Sequence, residues 1–315
     1  MRGTFHTVNV ASVAGRAVAR FASAPPVPTA PLPQGSTIEL PGRGSAYVVD
    51  IAGPDGAPTL ILIHALGCTA NLSWYPSFAA LSEHYRVIAF DQRWHGRGVQ
   101  SEKFRLDECA DDVVAVADAL GVERFTLVGY SMGGAIAQLT WRRHKHRVEG
   151  LVLCATARNF RGKVIERAWF SLTKGAMARL SQRAEHGVQR TFAKLSDCDM
   201  GAVTEEQLPK WALAEFRSTS VWSMLAVLDE IGRFDSSPWI GQVRVPTAVV
   251  VAATDRIIPT RRQHRLAESI PLATTHEFEG NHAGMVLGAE RFVPVLLDAC
   301  KAVTRRIERT RSTAA

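Results

Sequence analysis

The sequence predicts an α/β fold with a mostly parallel sheet, and three observations carry that expectation. Short apolar runs alternate with helix-like stretches through the first half of the chain. The alternation resumes near residue 241, and one serine set among glycines stands where an apolar run meets a helical one. Parallel neighbours need crossover connections, which helices on both faces of the sheet supply. A chain of 315 residues is long enough to bury such a core without a disulfide framework.

Residues 1–35 hold three arginines, no acid and a Pro-rich end, so a poorly ordered basic arm is expected there. Arg16 and Arg20 interrupt any secretory apolar region. "SAYVVDIAG" then reads as a strand, "GPDGAP" as a turn and "TLILIHALG" as a buried strand running into a loop. A helical stretch near Leu72 to Ser82 precedes the strand "RVIAF" and the polar loop "DQRWHGRG". A helix from Asp107 to Leu120, the strand "FTLVG", a helix from Met132 to Arg143 and the strand "GLVLCA" complete the first half. Asp107 is expected to cap its helix and to complement the helix dipole.

Residues 157–240 break the alternation with helical, arginine-rich sequence. "TAVVVAATD", a helix from Arg261 to Ile270 and "THEFEGNH" then restore it. The expected plan is a core of residues 36–156 and 241–315 carrying a helical insertion of residues 157–240.

Composition narrows the function. No stretch approaches the roughly 20 apolar residues that cross a bilayer. The five cysteines, Cys68, Cys109, Cys154, Cys198 and Cys300, lack zinc-ligand spacing and read as reduced thiols of a cytoplasmic protein. With no HExxH pattern and no complete G-x-G-x-x-G, neither metal nor cofactor is expected. The net charge of +7 is local: residues 158–194 carry nine Lys/Arg against two acids. Lys163, Arg167, Lys174, Arg183, Arg190 and Lys194 recur at helical spacing as a solvated face, with peripheral contact to an anionic membrane as the sharper alternative. Nucleic acid is not an expected partner, because no aromatic and basic interleaving accompanies the charge.

Gly129-Tyr130-Ser131-Met132-Gly133 fits G-x-S-x-G between a strand and a helix. A sharp turn there exposes the serine, and the flanking glycines let backbones pass closely. A serine hydroxyl needs a histidine to take its proton and an acid to orient that histidine. Asp255 follows one later strand and His282 the last, giving the order Ser131, Asp255, His282.

On these residues the chain resembles the α/β-hydrolase family from about Ser36 to Thr304. The resemblance implies an eight-stranded, mostly parallel sheet with helices on both faces and a helical cap. It implies an oxyanion hole from the Met132 amide and one in His64-Ala65-Leu66-Gly67, assigned to Leu66; Ala65 stands where the family usually has glycine. "DQRWHGRG" resembles the family's Asp-x-Arg-x-x-Gly-x-Gly loop, and Asp91, Arg93 and His95 are read as structural. Cys68 is read as a wall residue. Candidate pocket residues are His64, Ala65, Tyr130, Trp169 and Trp222. The expected activity is hydrolysis of a carboxylic ester with an apolar acyl group, the partner being a small ester or lipid. A C–C hydrolase, a perhydrolase and a non-catalytic ligand receptor stay open as alternatives.

Overall fold

The run Leu60–Ile63 has no polar residue to give to water, so it suits a strand covered on both faces. A computed structural model describes residues 32–160 and 208–314 and places that run inside one sheet. The strands are β1 (Ser36–Leu40), β2 (Gly44–Ile51), β3 (Thr59–Ile63), β4 (Arg86–Phe90), β5 (Phe125–Tyr130), β6 (Val148–Cys154), β7 (Thr247–Ala252) and β8 (Thr274–Phe278). Their spatial order is β1-β2-β4-β3-β5-β6-β7-β8, with β2 antiparallel to both β1 and β4 and every other pair parallel.

The helices are α1 (Ala70–Ser82), α2 (Leu106–Ala119), α3 (Met132–Arg143), α4 (Leu208–Arg217), α5 (Val221–Arg233), α6 (Thr260–Ser269), α7 (Gly284–Leu287) and α8 (Ala289–Ala314). Strand residues alternate between two cores, because successive side chains leave opposite faces. Ile61, Ile63, Leu127, Leu151 and Val249 meet Val113 and Val116 of α2, Ile136 of α3 and Leu266 of α6. Leu60, Leu62, Val128, Val152 and Val250 meet Trp74 and Phe78 of α1 and Phe292 and Leu296 of α8. No helix among the described residues is long and apolar enough to cross a membrane.

Most expected elements match to within two residues; β1, α7 and α8 are additions. The outer position of β1 leaves Ser36, Thr37 and Glu39 exposed, so it lacks the apolar run that marks the inner strands. The role expected of Asp107 is corrected in part. Arg105 occupies the N-cap position of α2, and Asp107 lies inside the first turn, where it complements the dipole without capping. The acids beyond it serve ion pairs: Asp111 holds Arg143, and buried Asp112 holds Arg43 and Arg93.

Among the described residues, α4 and α5 stand between β6 and β7 and reach over the loops that follow β3 and β4. Tyr75 of α1 meets Trp211 of α4 edge to face at 5.3 Å, and the Thr219 hydroxyl accepts from the Gly96 amide at 3.4 Å.

Candidate active site

Ser131 adopts φ 53° and ψ −111° between β5 and α3. A non-glycine residue reaches positive φ only at a cost, so the surrounding structure must hold it there. Its amide donates to the Cys154 carbonyl at 2.9 Å, and its carbonyl accepts from the Thr156 hydroxyl at 2.7 Å. The turn is too tight for side chains: a Cβ on Gly129 would lie 2.3 Å from the Gly133 carbonyl oxygen, and one on Gly133 would lie 2.1 Å from that of Ile63. Glycine is therefore required at both positions by close approach, and the serine side chain is driven out above the sheet.

Parallel pairing then gathers the partners. Strands β7 and β8 run parallel to β5 through β6, so the loops after them open at the same sheet edge as Ser131. His282, after β8, places Nε2 2.9 Å from the Ser131 Oγ and Nδ1 2.7 Å from Asp255 Oδ2. With Nδ1–H donating to the carboxylate, Nε2 is left to accept from the serine hydroxyl, an assignment that follows from the partners. Asp255 is buried, and its Oδ1 also accepts from the Ile257 and Ile258 amides at 2.8 and 2.9 Å. Gln263 Nε2 donates to Oδ2 at 3.0 Å.

The Met132 amide opens α3 immediately after the serine. Across from it, Ile63 pairs with Gly129, which brings the loop after β3 alongside the turn. Within that loop the Ala65 amide faces the Ser73 hydroxyl at 3.4 Å, while neither Leu66 nor Met132 spends its amide on a partner among the described residues. Ala65 is not among the residues with positive φ, so the absence of glycine there costs no strain.

The model of the family described as the alpha/beta hydrolase fold matches residues 58–195. A protein of Serratia proteamaculans named as a carbamate hydrolase, RutD, is 28% identical over 255 residues, covering 79% of this chain and 93% of that protein. The 3-oxoadipate enol-lactonase 1 of Acinetobacter baylyi is 22% identical, covering 83% and 95%. The solved enol-lactonase from Burkholderia xenovorans LB400 superimposes with a TM-score of 0.66 at 23% identity, covering 84% of this chain and all of that one. This chain has the α/β-hydrolase fold. Its relatives support a hydrolase.

The remaining polar groups of this hydrolase divide into those that reach the site and those that hold it. His64 is fully buried; its Nε2 accepts from the Gln92 amide and its Nδ1–H donates to the Ala65 carbonyl, both at 2.8 Å. Burial lowers its pKa to about 4, so it stays neutral and ties the loop after β3 to the loop after β4. Its expected place in the pocket wall is corrected, because a ring without exposed surface cannot touch substrate. Tyr130 is corrected on the same ground: it is fully buried, and its hydroxyl donates to the His282 carbonyl at 3.1 Å. Ala65 is 5% exposed, leaving little surface for a ligand. Trp169 and the basic residues at 163, 167, 174, 183, 190 and 194 lie outside the described residues, as does Cys198. Of Trp222 only the helical backbone is described.

Asp91 accepts from the Ala70 and Arg97 amides at 2.8 and 2.9 Å, and Arg93 makes two hydrogen bonds to Asp112 at 2.9 and 2.8 Å. His95 is buried and its pKa falls to about 3. These three residues brace loops. Burial pushes the Cys68 thiol up to about 11, which keeps it protonated and a poor nucleophile.

Sequence reasoning missed Gln263 and the true position of Tyr130. Gln263 bonds the Asp255 carboxylate, accepts from the Ala252 amide and donates to the Ile258 carbonyl. A glutamine on an amphipathic helix carries no such mark. Only its fixed distance of eight residues from Asp255, one loop and one helical turn, hints at the contact.

Proposed function

We propose that the protein hydrolyses small carboxylic esters through an acyl-enzyme on Ser131. The observation that carries this reading is the continuous chain from Ser131 Oγ to His282 Nε2 to Asp255 Oδ2, at 2.9 and 2.7 Å. His282 takes the hydroxyl proton as Ser131 attacks the carbonyl carbon. The Met132 and Leu66 amides hold the resulting oxyanion, each worth about 3 kcal/mol in the transition state. His282 then gives its proton to the departing alcohol, and in the second half it takes a proton from water, whose attack releases the acid and restores Ser131. Asp255 keeps the ring in the reactive tautomer and stabilises its charged form.

An apolar acyl group suits the surroundings: Phe216 and Met224, from α4 and α5, press against Gly67 beside Leu66. A relative named as an enol-lactonase supports an ester, since a lactone is a cyclic one. A relative named as a carbamate hydrolase favours a second class, in which the same carbonyl attack expels an amine or an alkoxide.

Mass spectrometry after exposure to a fluorophosphonate tests the reading. The expected result is one adduct, on Ser131, lost in His282→Ala. Labelling elsewhere, or none with the folded enzyme, would overturn it. Parallel rates on p-nitrophenyl esters of increasing acyl length and on aryl carbamates then rank the two classes.

A further inference from the structure

Glu215 projects from α4, and its carboxyl accepts a hydrogen bond from the Thr69 hydroxyl. Thr69 ends the loop that starts at His64 and carries the Leu66 amide. It also caps α1, its Oγ1 accepting from the Leu72 amide at 3.1 Å. One hydroxyl therefore joins the cap helix, the oxyanion loop and the first turn of α1. Asp91 reaches the same place from below, accepting from the Ala70 amide one residue further on. Gly67, in the middle of the loop, lies under Phe216 and Met224.

We propose that Glu215 is a positioning residue that sets the Leu66 amide through Thr69, so that seating the cap and completing the oxyanion hole are one event. The inference rests on Ser131 being the nucleophile and extends that reading to the cap.

The charged and titratable groups facing Glu215 are Asp91 and Arg97 from the loop after β4 and Cys68 from the loop after β3. Cys68 is neutral. Arg97 stands 3.9 Å from Asp91 and is partly exposed, so it offsets the two acids incompletely. Burial, and then the neighbouring Asp91 carboxylate, raise Glu215 from the ordinary 4.5 to about 7. The seated cap therefore holds a proton that a released cap gives up. Seating is tightest below about 4.5, weakens as pH rises to about 7, and weakens no further above that.

The test uses the full chain, wild type and Glu215→Gln, which keeps an acceptor and cannot ionise. Amide hydrogen exchange of residues 64–72 and 208–217 is followed from pH 5 to pH 8 after correction for intrinsic rates. Wild-type opening should rise on the order of a hundredfold across that range, and Glu215→Gln should stay flat. The same pH dependence in both proteins overturns the proposal. Ester turnover gives the second readout, because the wild-type to Glu215→Gln ratio of kcat cancels every pH dependence the two proteins share. That ratio should fall from near unity at pH 5 to a plateau above pH 7, whereas a constant ratio overturns the proposal. Glu215→Ala should lose kcat at every pH with KM changed less. If it does not fold, Thr69→Val takes its place, and wild-type kcat in that variant overturns the proposal. Full turnover in Ser131→Ala would sink the nucleophile reading, and the exchange comparison would still judge the cap contact by itself.

Discussion

His282 and His64 stand on loops at the same sheet edge and have opposite fates. His282 spends one nitrogen on a carboxylate and turns the other to a serine hydroxyl, and its side chain keeps 16% of its surface exposed. His64 spends both nitrogens on backbone groups, and its burial removes the positive charge from its chemistry. The difference lies in the partners. A ring held by a carboxylate can accept a proton and be stabilised in doing so, whereas a ring held between an amide and a carbonyl can only be a strut. In the proposed mechanism the loops after β7 and β8 move a proton, and those after β3 and β4 stay still.

The sharpest way to break this contrast is to exchange the losses. His282→Ala should cost on the order of 10^5-fold in kcat and little stability. His64→Ala should cost about 2–4 kcal/mol of stability, with a far smaller effect on kcat in the folded fraction. Ester turnover and urea unfolding measured on both variants decide it, and a stable but inactive His64→Ala would reverse the assignment. Asp255→Asn comes next. It keeps the shape but disfavours the reactive tautomer, and roughly 10^4-fold should be lost from kcat.

Acid separates the two loops without mutation. His64 and His95 have folded pKa values of about 4 and about 3, below the ordinary 6.5, so the unfolded chain binds their protons first. Their contribution is complete above pH 6.5 and is lost as pH falls toward 4 and then 3. Unfolding free energy from urea titrations should therefore decline over that window, and His95→Gln should flatten the lower part of the decline. Gln263→Ala is the smallest expected effect. Removing one donor from the Asp255 carboxylate should cost about 1 kcal/mol, read as roughly fivefold in kcat with the pH optimum retained.

Much of this arrangement was legible in the sequence because it is written in backbone terms. Glycines two residues either side of Ser131 announce a tight turn, and buried strands such as β3 and β7 announce themselves through the apolar runs at residues 60–63 and 248–252. The order of Ser131, Asp255 and His282 needs only a parallel sheet to become a neighbourhood. What stayed hidden is made by side chains meeting across long separations. The link from Glu215 to Thr69 spans 146 residues, and the motif position of Tyr130 says nothing of which core its ring enters. β1 was hidden for a different reason: a strand at the sheet's edge keeps too many polar residues to look like one.

The crowding around the serine also divides the site for anyone wishing to redesign its selectivity. Gly129 and Gly133 are closed to every other residue, since a single added carbon would overlap main-chain atoms. Library positions belong instead at Phe216 and Met224, whose side chains lie over Gly67 and can be exchanged for others of different volume. In the proposed mechanism selectivity is changed from the roof, while the floor holds the nucleophile in place.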